Sequence, residues 1–382
     1  MSILNSCSPG EKKLPEAVIM GKYFPYDEYI FLNKVLSNEV TMLDSADLSE
    51  GKPFTFEVAA DDYTIHRLAH KALFPLMVVV SNGDTVEVTQ VDDKAWPYRV
   101  KGSPECMLLV DYLEKLNRDH YKVDSLAAIF QYSQDRSDFI AIRDHLNAEF
   151  KRMLDDHKAY ARDFVTSHPS SIASIVVING FFKEFALFNS QEDFSYYEMV
   201  DNALMSRMPE NRHVQDFHQQ VENIRASNEY ELEARMRLSP GRMIPEFKLP
   251  SSKGSDIGPQ DFAGSNLLIY FWAGADAKSR QTNPVIKSAY EAYHPYGLEV
   301  LNISFDKDPK VWEAARDLDQ LPGYHCTDLK GAGSPVQKLF NLKMRLPHYF
   351  LVDTRGRIFE HDGDFSKLAG QIVELYKQNP DM

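Results

Sequence analysis

The stretch LLIYFWAGADAKSRQTNP, residues 267–284, decides how this chain folds. Residues 267–272 read as a hydrophobic strand, and the spacing predicts a helix over 277–293. Asp276 stands at the joint, and Asp is among the residues best suited to accept hydrogen bonds from the free N–H groups that open a helix. Outward from this point the rhythm of strand and helix continues. A strand is expected over 298–305, a helix over 309–318, a short helix over 336–340 and a terminal helix over 365–377. Upstream, Leu238-Ser239-Pro240-Gly241 reads as a linker.

The residues around the quoted stretch carry a resemblance. Phe271, Trp272 and Ala273 before the helix, Arg280 and Pro284 inside it, the leading run 243–250 and the Leu346-Pro347-His348 strand start are similar to thioredoxin-like proteins. The likeness is to the TlpA and ResA type, within the alkyl hydroperoxide reductase and thiol-specific antioxidant superfamily. It covers 240–382 and implies a thioredoxin-like α/β domain with a strand over 346–353 that opens on a cis-proline at Pro347, a hairpin turn at Thr354-Arg355-Gly356-Arg357 and an edge strand over 358–360. In such proteins a Cys-x-x-Cys opens the helix, where Asp276 and Ser279 stand in this chain. The resemblance also implies a groove that binds an extended peptide, formed here by Trp272, Asp276, Ser279, Leu346, Pro347 and His348.

The two exchanges alter the chemistry. A cysteine at a helix N-terminus has its pKa lowered by the dipole and free amides, and exchange needs a second sulfur to resolve the mixed disulfide. Asp276 preserves an anion without reversible sulfur chemistry, and Ser279 cannot resolve anything. Cys326 is the one thiol in this region. His325 adjoins it, yet neighbours on a strand point to opposite faces.

Before residue 240 the pattern differs. Short alternating runs broken by turn residues over 17–102 predict an antiparallel β domain, with Asn82-Gly83-Asp84 as a hairpin signal and 68–80 as one strand with its approach loop. This region resembles the small β domain that precedes thioredoxin-like modules in envelope proteins of Bacteroidetes. Ser103-Pro104-Glu105 opens a helix in which Cys106 falls at a core position. Further helices are expected over 137–167, 170–187, 196–207 and 214–236. The domains are therefore a tether or signal remnant at 1–16, the β domain at 17–102, a helical region at 103–239 and the thioredoxin-like domain at 240–382.

The chain has 382 residues, 43% hydrophobic and 26% charged, which describes a soluble, globular, multi-domain protein. A net charge of −14 argues against nucleic-acid binding, which needs clustered cations. No apolar run approaches the roughly 18 residues of a membrane span. No charged start followed by an apolar core marks a complete signal peptide. Leu4-Asn5-Ser6-Cys7-Ser8 resembles the end of a lipoprotein signal, so Cys7 is a candidate for lipidation, with the protein held at the periplasmic side of a bacterial envelope. Among the histidines, His66 and His70 would share a face only on a helix, His213 and His218 diverge, and no Cys/His cluster has zinc spacing. No phosphate loop follows a strand, so no cofactor and no metal are expected.

The expected function is a thioredoxin-like envelope protein without the dithiol centre, acting as a protein- or peptide-binding module. The alternative is a thiol-disulfide oxidoreductase or antioxidant protein working through Cys326 or a partner's cysteine. Whether the chain is an enzyme stays open at the level of sequence.

Overall fold

A computed structural model describes residues 16–23, 28–37, 39–60 and 62–378. Cys7 and, apart from Glu16, the tether read over 1–16 lie outside these residues. The chain divides into two compact units, Met1–Ala226 and Ser227–Met382.

The first unit opens with eight strands: β1 (Glu16–Lys22), β2 (Tyr29–Leu36), β3 (Glu39–Asp47), β4 (Phe54–Ala59), β5 (Thr64–His70), β6 (Leu73–Val80), β7 (Thr85–Gln90) and β8 (Tyr98–Lys101). They form two four-stranded sheets in the orders β4-β1-β7-β8 and β3-β2-β5-β6. Alternation drives the burial: Phe54, Phe56 and Val58 turn inward on β4, and Val86 and Val88 on β7. All pairs are antiparallel except β1 with β7, which is parallel.

The Asn82-Gly83-Asp84 turn forms, with Gly83 at φ +80° and the Asp84 carboxylate accepting from Ser81 N at 3.0 Å. It makes no hairpin, because it carries the chain from β6 in one sheet to β7 in the other. Turn residues dictate a local reversal, whereas pairing follows the apolar faces that must be covered. The hairpin of this region lies at Lys71-Ala72, so 68–80 contributes to two strands rather than one. On β5, His66, Leu68 and His70 all turn inward, because alternate strand residues share a face. The expectation that the two histidines meet only on a helix is therefore wrong.

Helices α1 (Pro104–Ser133), α2 (Phe139–Ser167), α3 (Ile172–Ile178), α4 (Phe194–Arg207) and α5 (Arg212–Arg237) follow. Ser103 Oγ accepts from Cys106 N at 3.5 Å at the start of α1, and Cys106 is fully buried. The helix expected over 170–187 stops early. After Asn179-Gly180 the chain forms a small ladder, β9 (Phe181–Phe182) with β10 (Phe185–Ala186), turning at Lys183 with φ +54°.

The second unit begins inside α5. The Tyr230 hydroxyl donates to Lys338 O at 2.8 Å, Arg237 Nη2 to Leu339 O at 3.0 Å and Asn341 Nδ2 to Glu231 at 3.1 Å. The stretch read as a linker is integrated: Leu238 is buried, and Gly241 N donates to Ile358 O at 2.7 Å. Of the leading run 243–250, only Leu249–Pro250 (β11) pairs along its length, with Asp256–Ile257 (β12). Pro245 and Pro250 remove ladder donors there.

The remaining elements are β13 (Asn266–Trp272), α6 (Ala277–Tyr293), β14 (Leu298–Ser304), α7 (Pro309–Asp319), β15 (Tyr324–Cys326), α8 (Pro335–Leu339), β16 (His348–Val352), β17 (Ile358–Asp362) and α9 (Leu368–Gln378). The sheet order is β15-β14-β13-β16-β17, with β13, β14 and β15 parallel and β16 and β17 added antiparallel. Central β13 is buried at every residue. Leu267, Ile269 and Phe271 join one core with Ile303, Phe340 and Phe350, while Leu268, Tyr270 and Trp272 join another with Ile286, Trp312 and Ile372. Cover on both faces is why this strand is an unbroken apolar run rather than an alternating one.

Candidate functional site

Strand β13 delivers the chain to the N-terminus of α6 at the sheet's edge. Asp276 caps the helix: its carboxylate accepts from Ser279 N at 2.7 Å and from Ser279 Oγ at 2.8 Å. Ser279 Oγ in turn accepts from Ala273 N at 3.3 Å. Asp276 and Ser279 are thus joined by a hydrogen bond, with Asp276 half-buried and Ser279 fully buried.

The loop between β13 and α6 is held from the end of β14. The buried Asp306 carboxylate accepts from Gly274 N at 2.6 Å, Ala275 N at 3.0 Å and Ser304 Oγ at 2.7 Å. Gly274 sits so close to α7 that a Cβ there would lie 2.7 Å from Ala315 Cβ. Beneath the loop, the Tyr270 hydroxyl donates to Ser279 O at 3.1 Å and Asn283 Oδ1 at 2.9 Å, and Asn283 Nδ2 donates to Asp319 at 2.6 Å. Arg280 grips the same Asp319 through two nitrogens, which ties α6 to α7 and holds the carboxyl below its usual range.

Across from α6, the Leu346–Pro347 peptide is cis. Between the two lies an open groove of about 600 Å³. Phe305, Val311, Met344 and Leu346 give it apolar walls, with Asp276 and Lys307 also on its lining.

The structure sorts the expected groove residues. Asp276 and Leu346 line it. Trp272 and Ser279 do not, because each is fully buried beneath the loop. His348 lines a different hollow, where its Nε2 lies 3.3 Å from His361 Nδ1. Pro347 sets the chain direction between the two without lining either. Phe305, Asp306 and Met344 were not picked out from sequence. Ser304-Phe305-Asp306, a polar and aromatic run directly after a strand, is the signal that points to the first two.

Cys326 on β15 is fully buried, its Sγ 3.8 Å from Asn302 O, and burial pushes its thiol up to about 12. Neutral pH leaves such a group without thiolate. His325 is itself buried, and loss of water lowers its imidazole to about 4, so it brings no positive charge to the sulfur. In the first unit, His213 Nε2 accepts from Ile65 N at 3.2 Å and His218 Nδ1 lies 2.9 Å from Asp201. Among the described residues no cluster of three or more His, Cys, Asp or Glu is arranged for a metal ion, and no helix is long and apolar enough to cross a membrane.

A mixed sheet of this order, a capped helix after the central strand and a cis-proline facing that cap define a thioredoxin-like domain. Residues 240–361 match the AhpC/TSA family. Over 76 residues the chain is 29% identical to a Mycobacterium tuberculosis protein named "putative peroxiredoxin". That match covers 20% of this chain and 48% of the relative, so the chain spans about half the length of the curated relative. Among solved structures, a thiol-disulfide oxidoreductase from Bacteroides fragilis is 28% identical, covering 35% of this chain and 99% of that one with a TM-score of 0.33. The thioredoxin domain of a thiol-disulfide oxidoreductase from Bacteroides vulgatus is 23% identical, covering 36% and 97% with a TM-score of 0.34. The region similar to the AhpC/TSA family has the Asp276-capped helix terminus on one side of its groove and the cis-proline loop on the other.

Proposed function

We propose that the AhpC/TSA-type domain is redox-silent and binds an extended segment of a protein partner in the groove between Asp276 and Leu346. The observation that carries this reading is an open, apolar-walled groove at a helix N-terminus capped by the Asp276 carboxylate. The surroundings support it: Asp306 still shapes the loop, and the cis-proline still presents Leu346. Exchange through Cys326 finds no support in its burial and raised pKa.

The test is to restore sulfur. Asp276→Cys with Ser279→Cys should confer disulfide reduction on a protein substrate such as insulin, and Leu346→Arg in that background should suppress it by blocking the groove. A restored dithiol that stays inert, or one indifferent to Leu346→Arg, would sink the reading. Cys326→Ser in the native chain should leave thiol exchange at background, and loss of a real activity there would favour the oxidoreductase alternative.

The reading extends to the bacterial envelope, at its periplasmic side. Leu4-Asn5-Ser6-Cys7-Ser8 supports lipid attachment, and detergent-phase partition that Cys7→Ser leaves unchanged would remove that part.

A further inference from the structure

On the other side of the cis-proline loop, a separate hollow of about 360 Å³ opens beside the last turn of α5. Arg235, Arg345, His348 and His361 supply its polar lining, and Phe340 and Leu342 are among its apolar lining residues. Loop residues 344–348 divide between the two concavities: Met344 and Leu346 line the groove, while Arg345 and His348 line the hollow.

We propose that this hollow binds a small amphipathic anion, a carboxylate or phosphate head held by Arg235 and Arg345 with its apolar body against Phe340 and Leu342. Among the described residues neither arginine has an acidic partner within ion-pair distance. The neighbouring acids are already committed. Glu231 is bound by Lys343 and by Asn341 Nδ2, and Asp362 accepts from Lys367 Nζ at 2.9 Å and from the amides of Gly363 and Asp364. Glu360 accepts from the amide of His361 at 3.0 Å.

Two guanidiniums line one concavity, Arg345 without an ion-pair partner among the described residues and Arg235 sharing its field with Glu231, and they match the forked geometry that carboxylate and phosphate present. The imidazoles add polar character without competing charge. Burial keeps both neutral near pH 7, His348 Nε2 lies 3.3 Å from His361 Nδ1, and the His361 ring stacks on Phe350 at 4.5 Å. The volume suits one ring with an acidic head. The site is distinct from the groove, so it stands or falls independently of peptide binding there.

The experiment is calorimetric titration of the full chain with benzoate, phenyl phosphate and inorganic phosphate. Saturable binding of one or both aromatic anions is expected, and the arm that binds tighter identifies the head group. Inorganic phosphate should bind more weakly, since it cannot use the apolar lining. Arg345→Ala and Arg235→Ala, both at exposed positions, should each weaken binding about tenfold or more. A nuclear magnetic resonance titration should shift the His361 ring signals along the same saturation curve. The proposal is overturned if neither aromatic anion saturates at millimolar concentration, if inorganic phosphate binds as tightly as phenyl phosphate, or if the arginine variants bind unchanged.

Discussion

Asp306 does more to shape the candidate groove than the residue that first draws the eye. Its carboxylate takes hydrogen bonds from Gly274 N, Ala275 N and Ser304 Oγ, and it is buried. Asp306→Ala leaves the buried Gly274 N and Ser304 Oγ without that acceptor, which costs about 2–4 kcal/mol. Asp276→Ala removes a half-exposed cap and costs about 1 kcal/mol. Urea denaturation of the two variants checks the order, and equal losses would contradict the role given to Asp306. The difference also explains what could be read ahead of the fold. Asp276 caps amides within its own helix turn, so local sequence announces it. Asp306 serves a loop some thirty residues away in the chain, and only the parallel pairing of β13 with β14 brings the two together.

At the scale of elements, α5 shows where local reading stops short. Its pattern marks a helix over 214–236, and the Leu238-Ser239-Pro240-Gly241 stretch after it suggests a boundary. Tyr230, Glu231 and Arg237 instead hold the 338–343 segment, and Leu238 enters the core. A fragment 227–382 should therefore unfold at a higher urea concentration than a fragment 240–382, by about 2 kcal/mol or more given the lost core leucine and hydrogen bonds. Equal midpoints would show that the last turns of α5 add nothing. The Asn82-Gly83-Asp84 turn teaches the same lesson from the other side. Its conformation is set by the residues themselves, while the partners of β6 and β7 are set by strands far away in sequence.

For the whole molecule, buried histidines set the response to acid. His66, His120, His213, His325 and His348 are each lowered from 6.5 to about 4, chiefly by loss of water around the ring. Unfolded chains take up these protons near 6.5 and the folded one only near 4, so the unfolded state binds more protons across that window. Stability is full above about pH 6.5 and falls as pH drops toward about 4. Urea midpoints at about pH 7 and about pH 5 should differ clearly, and His348→Gln should reduce the difference. A flat profile would mean that these rings are hydrated. Composition hints at none of this, because twelve histidines have no stated burial until the chain has folded.

Period and capping act over a few residues, so strand β13, the Asp276 cap and helix α6 were legible in the chain itself, while the cis-proline at Pro347 was implied by the family resemblance. Which strands pair, that Trp272 and Ser279 lie under the loop rather than in the groove, that His348 turns to a second hollow, and that Cys326 is sealed in the core were decided only by tertiary structure. Those outcomes depend on which surfaces exclude water together, and that is a property of contacts between segments distant in sequence.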